Sequence, residues 1–235
     1  MGSACVAEYE WQSPMTGLGT KTALAPVVPP DRFVVLPSIT WETYKRISAE
    51  TPPGSGVRLT YDDQSLQIMA LSAGHESTNR DLAELVVEMS VLLDLPIWQS
   101  GSTTFNREDL KKGFEPDSSF YIETAERMLG KTEIDLSQDP PPDLVVEVDI
   151  TRKSMNKLPL FAAVGIPEVW RFDGDKLHIL VLDGDGYRDA RESSALAPLT
   201  AEAVTDLLRL RQQQPLQSAW RKAVRQWFDS LPARE

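Results

Sequence analysis

The stretch Asp143-Leu144-Val145-Val146-Glu147-Val148-Asp149-Ile150, which follows Pro140-Pro141-Pro142, has the composition of a buried central strand interrupted by acids. Side chains alternate along a strand, so Leu144, Val146, Val148 and Ile150 share a wholly apolar face that belongs in a core. The opposite face carries Asp143, Glu147 and Asp149 beside Val145 and must meet something positive. A second apolar run repeats the theme: Pro116-Asp117 leads directly into Ser118-Ser119-Phe120-Tyr121-Ile122. Desolvating an unpaired carboxylate is costly, so acids in such places are paired or bind a metal.

Outward from these two segments, the chain alternates helical and extended patterns. Thr40 caps a helix through Trp41, Tyr44 and Ile47, which ends before Pro52-Pro53-Gly54. Val57 to Tyr61 and Ser65 to Leu71 form a hairpin around Asp62-Asp63-Gln64. Apolar residues at Leu82, Leu85, Val86, Met89, Leu92 and Leu93 predict one long amphipathic helix over about 74–95, with His75 and Glu76 in its first turn. Short extended segments follow at 102–107, 117–122 and 144–150. A helix over about 156–164 closes on Gly165, and Pro159 is tolerable only in its first turn. Residues 168–172 and 177–182 pair across Asp173-Gly174-Asp175-Lys176, and Asp183-Gly184-Asp185-Gly186 makes another turn. Thr200 caps a helix through Leu210, and Pro215 opens a last amphipathic helix with Leu216, Trp220, Val224, Trp227 and Phe228. The fold class this predicts is α/β, a mixed central β-sheet flanked by helices. Residues 1–30 lack pattern and are expected to be a disordered tail, which leaves 31–235 as a single domain ending in helices.

Composition narrows the function. With Cys5 as the only cysteine among 235 residues, no internal disulfide is possible. No run approaches the ~18 apolar residues of a membrane span, and residues 1–30 lack the basic start and apolar stretch of a signal peptide. A soluble cytoplasmic protein with no membrane partner is expected. The formal charge of −11 argues against a surface that holds nucleic acid by bulk electrostatics. Lys111-Lys112, Arg152-Lys153 and the Arg209 to Arg225 group are local basic clusters that read as solvated faces.

Carboxylates held on adjacent strands suit metal-dependent phosphodiester cleavage. A hard cation such as Mg²⁺ needs a few carboxylate oxygens, and a nearby lysine can orient water or offset developing charge. Glu76 on a helix, Pro116-Asp117, then Glu147-Val148-Asp149 resemble the PD-(D/E)xK nuclease superfamily. More closely, the chain resembles the Uma family (Uma-two) of restriction endonucleases. The matching stretches are Gly74-His75-Glu76, Gly101 to Phe105, Glu115-Pro116-Asp117 through Ile122, Pro141 to Thr151, Lys157 to Phe161, and Gly165 to Trp170. The resemblance covers about residues 32–230. It implies a restriction-endonuclease-like core, a Mg²⁺-dependent DNA endonuclease with Mn²⁺ as a substitute, and DNA as partner; a homodimer is allowed but not required. It makes Asp117 and Glu147 metal ligands and Glu76 an accessory acid. The superfamily lysine should stand two residues after the glutamate, where this chain has Asp149, and Lys157 on the next helix matches the substitute. Relatives often carry tyrosine at the position of Phe161, so any hydroxyl contributed there is absent.

Each residue also has a plainer reading. Asp117 could be a turn residue after proline; Glu147, in mid-strand, has no comparable excuse. Asp149 is either a third ligand or a strand-end acid paired with Arg152 or Lys153, and Asp143 caps the start of its strand. Glu76 could simply favour a helix N-terminus. His75 lacks a second histidine four residues on, so the zinc-protease pattern fails and it reads as a polar helix-start residue. Trp220, Trp227 and Phe228 read as core. Two other functions stay open: a non-catalytic nucleic-acid-binding module that keeps the nuclease fold, and a regulatory module whose acids pair with arginines such as Arg107 or Arg171.

Overall fold

Two sheets carry the chain, joined at Glu115-Pro116-Asp117. The computed structural model describes residues 31–52, 54–150, 155–214 and 216–231. The expected N-terminal tail lies outside them. In chain order the elements are β1 (Arg32–Leu36), α1 (Trp41–Glu50), β2 (Val57–Asp62), β3 (Ser65–Ala70), α2 (Ala73–Leu92), β4 (Trp98–Gln99), β5 (Phe105–Arg107), β6 (Lys112–Phe114) and β7 (Ser118–Tyr121). After a short 3₁₀ turn come β8 (Leu144–Val148), α3 (Leu158–Val164), β9 (Glu168–Phe172), β10 (Leu177–Asp183), β11 (Gly186–Ala190), α4 (Ala201–Gln213) and α5 (Gln217–Asp229).

The mixed sheet predicted from the sequence has the order β11-β10-β9-β8-β7-β4. Its β8 and β9 run parallel with α3 between them, and its other neighbours are antiparallel. The second sheet, β1-β3-β2-β6-β5, is antiparallel throughout. It contains the expected hairpin, whose turn residues Asp63 and Gln64 take φ of 43° and 60°, as a tight turn of that twist requires. Its other strands differ from the single-sheet expectation. β5 and β6 are only three residues long, too short for a periodic signal, and β1 is an edge strand with Val34 and Val35 exposed.

Local chemistry accounts for the helix starts. Thr40 Oγ1 accepts from Thr43 N at 3.2 Å, Ser72 Oγ from His75 N at 3.2 Å, and Thr200 Oγ1 from Ala203 N at 3.1 Å. Helix α3 stops at Gly165, whose φ of 86° is the left-handed cap the sequence predicted. Gly113 in β6 has a different reason: the Tyr44 ring lies across its Cα, where a Cβ would collide with it. Tyr44 in turn stacks on Tyr61 at 5.0 Å and donates to Asn106 Oδ1, which ties α1 to the second sheet.

Strand β8 is buried on both faces. Leu144, Val146 and Val148 join the core formed with α2, α4 and α5, while Val145 joins a separate core beneath α3. Helix α5 is anchored by Trp220 Nε1, which donates to Leu207 O at 2.7 Å, and by Arg221 and Arg225, each 2.5 Å from the buried Glu88 carboxylate. Burial pushes the Glu88 carboxyl up, yet the two guanidiniums hold it below the ordinary glutamate value. No described helix is long and apolar enough to cross a membrane.

Candidate functional site

The site forms where the chain leaves one sheet for the other. Glu115 still belongs to the second sheet: its carboxylate accepts from Leu59 N at 3.2 Å and Thr104 Oγ1 at 2.8 Å. Two residues later Asp117 stands at the start of β7. Ser118 lies opposite Val146, so the register continued by one residue puts Asp117 opposite Glu147 on the same face of the mixed sheet. Both acids are buried, 4% and 9% exposed, and both line one cavity of about 180 Å³. The same cavity is lined by His75, Asp149, Lys157, Phe161 and Arg171. By comparable measures a single water needs roughly 10–15 Å³, so the space admits several waters or a hydrated ion.

Lys157 is brought to the acids by the crossover. It caps α3, and its ammonium sits 2.7 Å from Glu147 Oε2. The backbone just before it is tied to the second sheet, where Met155 N donates to Gln67 Oε1 at 2.6 Å. Lys157 is therefore the cation that meets Glu147, as its long stem allows. Among the described residues, Glu147 Oε1 is buried with no hydrogen-bond partner.

Asp117 is held from the other side. Its Oδ2 accepts from Val148 N at 2.8 Å, and its carbonyl accepts from Asn79 Nδ2 at 3.0 Å. His75 Nε2 lies 2.9 Å from the same Oδ2, off the axis of a good hydrogen bond, while His75 Nδ1 lies 2.8 Å from Asp31 Oδ2. Asp31 Oδ1 accepts from Ser72 N at 2.7 Å, so the carboxylate that orients the imidazole also secures the start of α2. Carboxylate, imidazole and carboxylate thus form a buried series ending at the cavity.

These contacts set the charges. Burial alone would depress His75, but Asp117 and Asp31 outweigh it and raise its pKa to about 9. The two carboxylates thus favour the imidazolium form of the ring. Burial raises Asp117 as well, but His75, Lys157 and the Val148 N–H hold it below the ordinary aspartate value. For Glu147 burial wins: Lys157 offsets it only in part, the neighbouring Asp117 charge adds to it, and its pKa is pushed up to about 7. For Lys157 burial works downward, and the Glu147 and Asp117 charges raise it above the ordinary lysine value. Two interacting carboxyls whose environments separate their protonation are a recurrent mark of functional sites.

Of the residues singled out from sequence, the structure brings Asp117, Glu147, Asp149 and Lys157 to one cavity. It does not bring Glu76 there. The inward face of α2 carries His75, Asn79, Leu82 and Val86. Glu76, one position round the helix, faces outward and pairs with Arg80 at 2.9 Å. His75 therefore occupies the place by Asp117 that the sequence reading offered to Glu76. Stepping back from Leu82 by three and seven positions along the same helix face reaches Asn79 and His75, a signal the sequence does contain. Asp31 carried no such signal. Asp143 accepts from Ile122 N, Thr124 N and Thr124 Oγ1, so it secures the end of β7 rather than the start of its own strand. Arg107, one of the two arginines considered as salt-bridge partners, pairs instead with Asp109. Arg152 and Lys153 lie outside the described residues.

The donor set fits a hard cation completed by water. Among the described residues no group of three or more His, Cys, Asp or Glu side chains is placed to hold a metal ion. Mg²⁺, however, keeps several waters and is commonly held by one or two carboxylates. Glu147 Oε1, buried and unpartnered among the described residues, and Asp117 beside it are two carboxylates such an ion could use.

The family model identifies the family. No curated protein matches the chain. Among solved structures, one from Anabaena variabilis, titled as a putative nuclease belonging to DUF820, is 13% identical, with 72% of this chain and 98% of that one covered at a TM-score of 0.48. The Uma2 family model, described as "Putative restriction endonuclease", matches residues 41–213. That match spans well over half of the sequence and takes in Asp117, Glu147 and Lys157: the chain belongs to the Uma2 family.

Proposed function

We propose that this protein is a divalent-metal-dependent endonuclease that hydrolyses phosphodiester bonds in DNA. The observation that carries the reading is the buried, unpartnered Glu147 Oε1 facing the same cavity as Asp117. A buried carboxylate oxygen in that setting favours a cation or a donor in the cavity, and the lysine already present occupies only the other oxygen.

Asp117 and Glu147 would hold the ion, with Asp149 at the cavity edge as a further oxygen source. The bound ion, Mg²⁺ or Mn²⁺, would supply Lewis acidity and a more acidic water. The chain's own residues do the rest. His75 keeps Asp117 ionised and oriented through the Asp31 carboxylate. Glu147, with a pKa near 7, gives up its proton readily when positive charge approaches, so ion binding and proton release are linked. Lys157 offers its charge to the phosphate oxygens as negative charge builds on them, in a site largely shielded from bulk water. Phe161, buried and edge-on to Phe114 at 5.2 Å, makes that wall apolar, so it contributes no hydroxyl to the reaction.

Plasmid cleavage tests the proposal. Wild type should nick supercoiled DNA with Mg²⁺ or Mn²⁺, and Glu147→Ala should not. Equal cleavage by both proteins would count against it. A non-catalytic DNA-binding module is the second reading, favoured by the Lys157–Glu147 ion pair that occupies half of the carboxylate. Binding that persists with chelator, without cleavage under any divalent ion, would select it.

A further inference from the structure

Among the described residues that line this cavity, Arg171 is the cation with no assigned work. It lies on β9, an interior strand of the mixed sheet, directly opposite Glu147 in the parallel register and opposite His178 of β10 on the other side. Paired residues in a register row project to the same face, so the Arg171 and Glu147 side chains leave the sheet side by side. Both line the cavity. His178 is engaged elsewhere, with Asp173 at 3.1 Å and Asp189 at 3.7 Å.

A guanidinium beside a carboxylate normally closes a bidentate pair. Here it does not. Among the described residues, the Nε of Arg171 is buried without a partner, and Glu147 Oε1 in the same row is buried without a partner too. Glu147 is drawn instead toward Lys157 on α3. Two adjacent orphans of opposite polarity, both facing one cavity, are satisfied together by a ligand that presents a cation to the acid and an anion to the guanidinium. A phosphodiester next to a bound divalent ion has that form, and the planar fork of arginine matches two phosphate oxygens.

We propose that Arg171 is a phosphate-binding residue of this site, gripping non-bridging oxygens of the DNA backbone beside the ion held by Asp117 and Glu147. The inference rests on the endonuclease reading and adds a residue that positions the substrate. Without Arg171, the strand is placed less firmly over the acids; the acids themselves are untouched.

The test is duplex-DNA binding, followed by fluorescence anisotropy in EDTA, for wild type, Arg171→Gln and Arg171→Lys across roughly 50–200 mM KCl. Arg171→Gln should weaken binding about ten-fold at the low-salt end, since one charge-assisted contact is lost. The slope of log K against log[salt] should become shallower by about one. Arg171→Lys should recover the slope with only part of the affinity, and the melting temperature of both variants should stay at or above wild type. A glutamine variant that binds with wild-type affinity and slope, while wild type cleaves DNA, overturns this inference and leaves the endonuclease reading standing. A variant that loses affinity only in step with a lowered melting temperature assigns Arg171 a structural role and also overturns it. A wild type that neither binds nor cleaves DNA overturns both readings.

Discussion

Replacing Lys157 by methionine keeps the stem and removes the charge that faces Glu147. The ammonium and the carboxylate are 2.7 Å apart, and each side chain is only 11% exposed. At an effective dielectric of about 20, charges at that separation attract by about 6 kcal/mol. Much of that offsets the desolvation of both groups, so removing one partner of a buried pair costs about 3–5 kcal/mol net. For a domain of this size each kcal/mol moves Tm by roughly 2–4 °C, which predicts a fall of roughly 6–20 °C for Lys157→Met at pH 8 in EDTA. The loss must depend on pH. Glu147 already has its carboxyl raised from 4.5 to about 7 in the folded protein, and without Lys157 the folded value rises further. A raised carboxyl gives its stabilisation in full below the unfolded value and loses it as pH climbs through the folded one. The deficit of the variant should therefore be small near pH 4.5 and open progressively through pH 7 and above. Glu147→Gln in the Lys157→Met background should recover most of the stability, since no uncompensated charge remains. Scanning calorimetry across this pH range is the assay. A fall of less than about 2 °C at pH 8, or one that does not vary with pH, would refute the ion pair as a buried, charge-compensated unit.

His75→Gln should lower Tm most near pH 6 and least near pH 10, because the stabilisation from an imidazolium of pKa about 9 is complete below its unfolded value of 6.5 and is lost as pH rises through 9. The effect is worth up to about 3 kcal/mol, and thermal melts of the pair of proteins across pH measure it; a difference that grows at high pH would contradict the assignment. Gly113→Ala drives a methyl into the Tyr44 ring and should cost about 1–3 kcal/mol, read by urea titration, whereas Gly184→Ala, at a turn with open space, should act only through its φ of 59°. Glu88→Gln leaves Arg221 and Arg225 without their buried counter-charge and should loosen α5; faster amide exchange over 217–229 with α3 unchanged is the expected signature. Glu76→Gln, by contrast, breaks only an exposed pair with Arg80 and should leave DNA cleavage and stability within about 0.5 kcal/mol of wild type.

The parts of the site that sequence revealed are those where chemistry contradicts its surroundings. Asp117 and Glu147 stand out because acids do not sit in apolar strands without cause, and strand periodicity puts both on a usable face. Lys157 emerged only through family resemblance, since its approach to Glu147 depends on how the crossover before α3 folds back. Glu76 and His75 exchanged places because adjacent helix residues differ by about 100° in direction, and the phase of α2 is fixed by its packing against β8. That phase was present in the Leu82, Val86 and Met89 pattern. Asp31 could not have been found: it acts 44 positions away from His75 in sequence, from the start of an edge strand with no periodic signature. The second sheet was hidden for a related reason. Its β5 and β6 are three residues each, and Gly113 is there because of a tertiary neighbour, Tyr44, that no local pattern announces.

Titration calorimetry with Mn²⁺, run on wild type and on Glu147→Gln in two buffers of different ionisation heat, bears most directly on the account. It predicts one ion bound per chain by wild type near pH 6.5, with a fraction of a proton released from Glu147, and little or no binding by the variant. Equal binding by the two proteins, or none by wild type, would contradict it.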